Sequence, residues 1–187
     1  MTLTKWALDA THSEINFKIK HLMISTVTGQ FKKFDVVGYT DGDDFKSAKK
    51  IEFTADIDSI DTNNEQRDQH LKSADFFNSQ DHPQIHFTGN KYELKGTEGI
   101  LTGDISIAGI TKPISLNIEF GGIVSDPYGQ IKAGFTVTGK LSRKDFGITY
   151  NASLETGGVL LGDEIKINAE IQLVKQVVAE NEESLVA

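Results

Sequence analysis

Cysteine is absent from all 187 residues, which excludes a disulfide framework, a thiolate metal site and a thiol nucleophile. Positive charge is scarce. Lys and Arg total 19 against 27 Asp and Glu, a formal net charge of -8. With no basic cluster to offset that balance, a nucleic-acid partner is not expected. Long apolar runs are also missing. None approaches the roughly 20 residues that a membrane-spanning helix requires, so stable membrane insertion is not expected either. The opening MTLTKWALDATHS has no basic stretch followed by an apolar one, as a secretory leader would. The cytoplasm is therefore the expected compartment, or the periplasm if a leader has been removed. Low-complexity linkers and internal repeats are absent as well.

What is present is an ordinary globular composition, 38% hydrophobic and 25% charged, in a length that one β-barrel domain normally fills. Between His12 and His21, the apolar Ile15, Phe17 and Ile19 alternate with Glu14, Asn16, Lys18 and Lys20. A strand sends successive side chains to opposite faces, so this segment has one buried and one wet face. Similar patterns recur. Val27 to Tyr39 reads as one long, bent strand with a bulge. Ile51 to Ile57 alternates cleanly, and Ile85 and Phe87 flank His86. Leu101 to Ile107, Ile114 to Phe120, Phe135 to Leu141 and Ile165 to Leu173 complete about eight strands linked by Gly, Asp and Asn turns. Closing them into an up-and-down barrel would remove both sheet edges.

One helix interrupts the strands. Thr62-Asn63-Asn64-Glu65 fits a capping box, with Thr62 and Glu65 satisfying each other's free backbone donors. The helix should run through Arg67, His70 and Leu71 toward Ala74, with Phe76 and Phe77 anchoring its end. It is polar nearly all round, which suits a position across the barrel wall or mouth. Residues 1–175 are read as one barrel domain and 176–187 as a frayed acidic tail.

An eight-stranded barrel is either packed solid or hollow enough for one small ligand. Ala55, Gly103, Ala133, Gly139 and Ala169 fall in register with large apolar neighbours. They could line a tunnel, or they could oppose large side chains to fit the barrel's taper. The strand pattern leaves both open.

Four blocks carry a further resemblance. The first runs from Trp6 through Leu8-Asp9, His12-Ser13, Ile15, Phe17, Ile19 and His21-Leu22 to Ile24-Ser25-Thr26-Val27, Gly29, Phe31 and Phe34. The second is SIDTNNEQRDQHLKSADFF, followed by Pro83, Ile85 and Phe87. GDISIAGITKPISLNIEF, leading to Asp126-Pro127-Tyr128-Gly129, is the third. SRKDFGITYN, leading to Val159 to Ile165, is the fourth. In order and spacing the chain from Trp6 to about Val174 resembles the YceI-like family of lipid-binding barrels. Tyr128 and Tyr150 stand where many members carry Trp.

That resemblance implies an all-β fold, a lipocalin-like eight-stranded antiparallel β-barrel with one short α-helix between strands and a long apolar tunnel. It implies binding, storage or transport of a long-chain amphiphilic lipid, such as a polyisoprenoid or isoprenoid quinone, and no cofactor beyond that bound lipid. The ligand-binding residues expected from the inward faces and the signature blocks are Phe17, Ile19, His21, Ile24, Ser25, Phe31, Phe34, Ala55, Ile57, Phe87, Gly103, Ile105, Phe135, Val137, Gly139, Leu141, Arg143, Ile167 and Ala169. Thr26, Arg67, His70, Lys144 and Asp145 are further polar candidates for a head group. Each has a structural alternative: Arg67 and Asp68 could pair with Lys144 or Asp145 to fasten helix to barrel, and His21 could be a structural imidazole.

Catalysis is not expected. Asp9, His12 and Ser13 include the residue types of a hydrolytic triad, but neighbours on a strand point opposite ways. No metal site is expected: His82 and His86 would share a strand face, yet Pro83 breaks the ladder and no third ligand has a motif spacing. Asp41-Gly42-Asp43-Asp44 reads as a solvated turn rather than a calcium loop. The alternatives to a lipid carrier are a solid barrel acting as an interaction module, with a homodimer as the expected oligomer, and an enzyme acting on an isoprenoid lipid.

Overall fold

The alternation in the sequence becomes antiparallel pairing throughout the computed structural model, which describes residues 3–176. Eleven strands form among the described residues: β1 (Leu3–Leu8), β2 (Glu14–His21), β3 (Ser25–Phe31), β4 (Phe34–Asp41), β5 (Asp44–Asp56), β6 (Ile60–Asp61), β7 (Gln84–Lys95), β8 (Glu98–Ile107), β9 (Ile110–Ser125), β10 (Ile131–Ser142) and β11 (Glu164–Gln176). The helix α1 spans Glu65–Lys72. Strands pair in the order β1-β4-β5-β7-β8-β9-β10-β11, and β11 pairs back to β1, closing an eight-stranded barrel. β2, β3 and β6 continue the sheet beyond β11. The bulk of the expected tail, 177–187, lies outside the described residues.

Eleven strands form where eight are expected, because the expected Val27–Tyr39 strand divides into β3 and β4 and because β1 and β6 lie outside the expected strands. One edge of β11 pairs first with β2, Lys18 opposite Lys166, and then with β1, Leu8 opposite Leu173. Between them the chain makes a short 3-10 turn at Ala10–His12. The break costs no backbone hydrogen bond at its margins. Asp9 N–H donates to the Gln172 carbonyl at 2.8 Å, and Ser13 Oγ accepts from Gln172 N–H at 2.9 Å. The expected single strand from Val27 to Tyr39 is likewise two, because β3 must follow β2 while β4 follows β1. At that break, Lys32 N–H donates to Ser59 and Asp56 N–H donates to the Lys33 carbonyl. β5 begins at Asp44, well before the expected Ile51, directly after a hairpin turn in which Gly42 has φ +56°.

The two ends of the barrel differ. Tight connections at Gly42, Gly96 and 126–130 close one end, where Trp6 is fully buried. Trp6 packs on Phe45 with ring centroids 4.8 Å apart, and Phe45 meets Phe120 and Phe135 at 5.3 and 5.0 Å. The indole N–H donates to Thr40 Oγ1 at 2.8 Å, so Trp6 itself buries no unpaired donor. The other end carries the long excursions 57–83 and 143–163. There α1 lies across the opening, with none of its residues buried. Its cap is Asn64, whose side chain accepts from Arg67 N–H at 2.9 Å, and not Thr62. Thr62 is drawn instead to Asp68, which accepts from its backbone and its hydroxyl.

Near the break between β1 and β2, Lys132 Nζ sits 2.8 Å from Asp9 Oδ2 and 3.5 Å from Asp126 Oδ2. The Lys132 hydrogen bond holds the Asp9 carboxyl well below the usual carboxylate range. A depressed folded-state pKa contributes stability that is present above the unfolded value, 3.8, and is lost as pH falls toward the folded value. Lys132→Met should therefore lower the melting temperature at neutral pH. Its deficit relative to the parent should narrow below pH 3.8 in thermal melts followed by circular dichroism. A deficit that stays constant with pH would show that packing, not the ion pair, sets it.

Candidate functional site

Two cavities lie end to end along the barrel axis, of about 300 Å³ toward the open end and about 150 Å³ toward the aromatic plug. Ile15, Phe53, Ile105 and Ile167 line both, which makes them one interrupted tunnel. The period of two explains the walls. Phe17 and Ile19 on β2, Leu141 on β10, and Ile165 and Ile167 on β11 point inward. Lys18, Lys20, Lys140 and Lys166 fall between them and are exposed. The deeper cavity is lined by Val36, Phe45, Ile51, Phe87, Leu101, Val137, Ala169 and Ile171, among others.

The open end supplies the polar groups. Arg67 and His70 of α1 line it together with Leu71, Phe76, Phe77 and Tyr150. His70, Phe76 and Tyr150 form an aromatic cluster with centroid separations of 5.0, 4.9 and 5.1 Å, joining the helix segment to the 148–162 loop. His70 Nε2 also lies 2.8 Å from Asp75 Oδ2. Arg143 is only 3% exposed. Its Nε donates to the Gly162 carbonyl at 2.8 Å, and its Nη1 donates to Ile148 and Tyr150 at 3.0 and 2.7 Å. One guanidinium thus straps the loop over the mouth. Burial pushes its pKa down, opposed by Asp163 3.6 Å from Nη2. Nη2 itself has no hydrogen-bond partner, leaving a buried donor whose solvation is lost unless a ligand oxygen meets it.

The residues nominated from sequence are placed unevenly. Phe17, Ile19, His21, Phe31, Leu141 and Arg143 line the outer cavity, Phe87, Phe135, Val137 and Ala169 the inner, and Ile105 and Ile167 both. Phe34, Ala55, Ile57, Gly103 and Gly139 line neither. Ala55 and Ile57 are buried in the wall's core, and Phe34 packs on Phe53 at 6.3 Å. A side chain at Gly139 would meet Leu116 at 2.6 Å, and one at Gly103 would meet the Phe87 ring at 2.6 Å. These glycines make room for large neighbours, the taper reading of the small residues. Of that set, Ala169 alone faces a cavity. Ile24 and Ser25 sit at the tip between β2 and β3, away from both cavities, where Ile24 is 82% exposed.

Other expectations are corrected. Arg67 does not reach Lys144 or Asp145: it donates to Thr62 Oγ1 and to the Thr62 carbonyl at 2.8 and 2.7 Å. Lys144 pairs with Asp163 at 2.9 Å. Sequence reasoning missed Phe45, hidden beside an acidic turn, and Leu160 and Leu161, which lie in irregular backbone. His12 Nδ1 lies 2.9 Å from Asp9 Oδ2, but Ser13 Oγ bonds the Gln172 backbone, so no base faces that hydroxyl. Among the described residues no cluster of three His, Asp or Glu could hold a metal.

The family model described as YceI-like domain matches residues 6–173. A UPF0312 protein of Staphylococcus epidermidis is 43% identical over 173 residues, covering 91% of this chain and 97% of that one. A UPF0312 protein of Staphylococcus aureus is 42% identical over 174 residues, with the same coverage. The crystal structure of a Campylobacter jejuni YCEI protein superposes with a TM-score of 0.73 at 37% identity, over 91% of this chain and 97% of the other. Two more distant structures share the fold: a polyisoprenoid binding domain from Saccharophagus degradans, implicated in plant cell wall breakdown, and BcnA of Burkholderia cenocepacia. The first has a TM-score of 0.61 at 12% identity, covering 91% of this chain and 98% of that one. BcnA has a TM-score of 0.75 at 18% identity, covering 88% and 98%. At these identities the two show the shared barrel fold alone.

Replacing Arg143 by Met should free the 148–162 loop while leaving the strands intact. Limited proteolysis should then cut within that loop far faster than in the parent, with an unchanged far-ultraviolet spectrum. Equal cleavage rates would show that the loop is held by its apolar contacts instead.

Proposed function

We propose that this chain, which belongs to the YceI-like domain family, carries or stores a long-chain isoprenoid lipid, a polyisoprenoid or isoprenoid quinone, threaded along its tunnel. The observation that carries this reading is the pair of cavities sharing four lining residues. An apolar void forgoes about 24 cal/mol per Å³ relative to a filled core. For the outer cavity alone, about 300 Å³, that is on the order of 7 kcal/mol. A hydrocarbon tail would recover it, gaining about 0.8 kcal/mol for each CH₂ removed from water.

The polar end of the ligand belongs at the mouth, where Arg143 Nη2 has no hydrogen-bond partner, with Asp163 3.6 Å away as its ion-pair partner, and where His21, His70 and Tyr150 lie. The tail would run inward past Ile105 and Ile167 toward Phe45. A specific head-group contact and an unspecific apolar tunnel make a site selective for lipid class but tolerant of tail detail. The choice of an isoprenoid is supported by the binding domain named above among the fold's neighbours.

Mass spectrometry of an organic extract of freshly purified protein, run beside native mass spectrometry of the intact chain, tests this. A long-chain isoprenoid should be found at one per chain. Ile167→Trp, placed where the two cavities meet, should abolish its retention with little loss of melting temperature, because the added ring enters empty space. A parent protein that is clean and ignores added polyprenols and quinones would refute the carrier reading.

A further inference from the structure

The rim of the tunnel mouth is built of side chains that the core does not use. At the tip between β2 and β3, Met23 is 63% and Ile24 82% exposed. Leu22 and Met23 both hold left-handed backbone, with φ of 53° and 58°. A tip designed for water would place Asn, Asp or Gly there. Leu22 N–H donates to the Leu160 carbonyl at 2.8 Å and His21 bridges Leu161, so the tip is fastened to the mouth loop. That loop exposes Val159 and Tyr150, at 40% and 37%. His21, Tyr150 and Leu160 line the outer cavity, so this apolar rim is continuous with the tunnel.

A second observation lies on the outer face of the same wall. Lys140, Lys166 and Lys18 stand directly opposite one another across β10, β11 and β2. Lys20, two residues nearer the tip, adds a fourth. Like charges in direct register destabilise a sheet, and the chain carries a net charge of -8 that could have been spent there. Lys140 has Glu164 at 3.8 Å. Among the described residues, Lys18, Lys20 and Lys166 take part in no ion pair or hydrogen bond through their ammonium groups. Of the acids at the mouth end, Asp163 is engaged by Arg143 and Lys144. Asp145 and Glu155 lie in the 143–163 excursion, and Asp58, Asp61, Glu65, Asp68, Asp75 and Asp81 lie in the 57–83 excursion. Flexible lysine stems can carry their charges out from the sheet face, where a membrane meeting the tip and this wall would present its phosphates.

We propose that the mouth end docks on a bilayer containing anionic phospholipid. Met23, Ile24 and Val159 enter the interface, while Lys18, Lys20 and Lys166 meet the lipid phosphates. The inference rests on the carrier reading in one respect: docking in this orientation presses the tunnel opening against the membrane, from which a water-insoluble lipid must be drawn. It requires no spanning segment, and no helix among the described residues is long and apolar enough to be one.

Sedimentation of the full chain with vesicles tests the proposal, using phosphatidylcholine alone and an equal mixture with phosphatidylglycerol. The parent should pellet with the mixture, far less with phosphatidylcholine, and less as salt is raised. Met23→Asp combined with Ile24→Asp should abolish pelleting. Lys18→Gln, Lys20→Gln and Lys166→Gln together should weaken binding to the mixture by about a hundredfold, at about fivefold per lysine. Their melting temperatures should hold or rise, since a repulsive ladder is relieved. A parent that stays in solution with both vesicles, or variants that bind as the parent does, would overturn it. So would a parent that instead self-associates through the tip, seen as a dimer that Met23→Asp dissociates.

The two readings fail separately. With polyprenol supplied in detergent micelles, the tip and lysine variants should fill their tunnels as the parent does, and Ile167→Trp should stay empty while still docking on vesicles. Filling without docking refutes the membrane surface alone; docking without filling refutes the carrier.

Discussion

The architecture depends on one shared edge. β11 offers a single row of backbone donors and acceptors, and two strands, β1 and β2, divide it between them. A continuous strand would have kept the barrel cylindrical to its rim. The 3-10 turn at Ala10–His12 lets β1 close the barrel while β2 leaves with β3 and the two residues of β6. Lys132, Asp9 and Ser13 cluster at that break, satisfying groups that the interruption would otherwise leave without partners. The wall opens at one end because the chain there follows a different neighbour.

From that asymmetry comes a division of labour. The closed end is an aromatic plug, with Trp6 tied to Thr40 and seated on Phe45. The open end has no strand to seal it on one side, and α1 with its following Phe76 and Phe77 lies there instead. Helix and loop meet through His70 and Tyr150, and Arg143 holds the loop through three carbonyls. The polar handles Arg143, His21, His70 and Tyr150 therefore gather at the mouth, while at the inner cavity the Tyr92 hydroxyl is buried with no hydrogen-bond partner.

Much of this was legible in the sequence. Seven of the eight stretches with a period of two fall on the barrel strands β4, β5 and β7 to β11. The His12–His21 stretch is β2, beyond β11, and the barrel strand β1 is not among the eight. The polar helix lies at the mouth as expected. What escaped were features set by tertiary geometry. Nothing local distinguishes a bulge near Gly29 to Phe34 from a true break, because the break is imposed by which neighbour each half must pair. Thr62 has a capping-box pattern, but Asp68 outcompetes the helix terminus for its hydroxyl. Gly139 looks like space in one dimension, whereas Leu116 from the neighbouring strand already occupies it. Ile24 was read as a ligand contact because its block is distinctive; it stands 82% exposed on the rim. The side-chain period tells which residues face inward, and it does not tell which inward space is empty.

Trp6 is the chain's single tryptophan and lies beyond the inner cavity, against Phe45, which lines it. Its fluorescence therefore reports how deep a ligand reaches. The most direct test of the threaded-tail account is to titrate the protein with two polyprenols, one brominated at the tail terminus and one beside the head group. The account predicts strong quenching of Trp6 by the tail-brominated lipid and little by the other at equal occupancy. Stronger quenching by the head-brominated lipid, or none by either when both are bound, would contradict it.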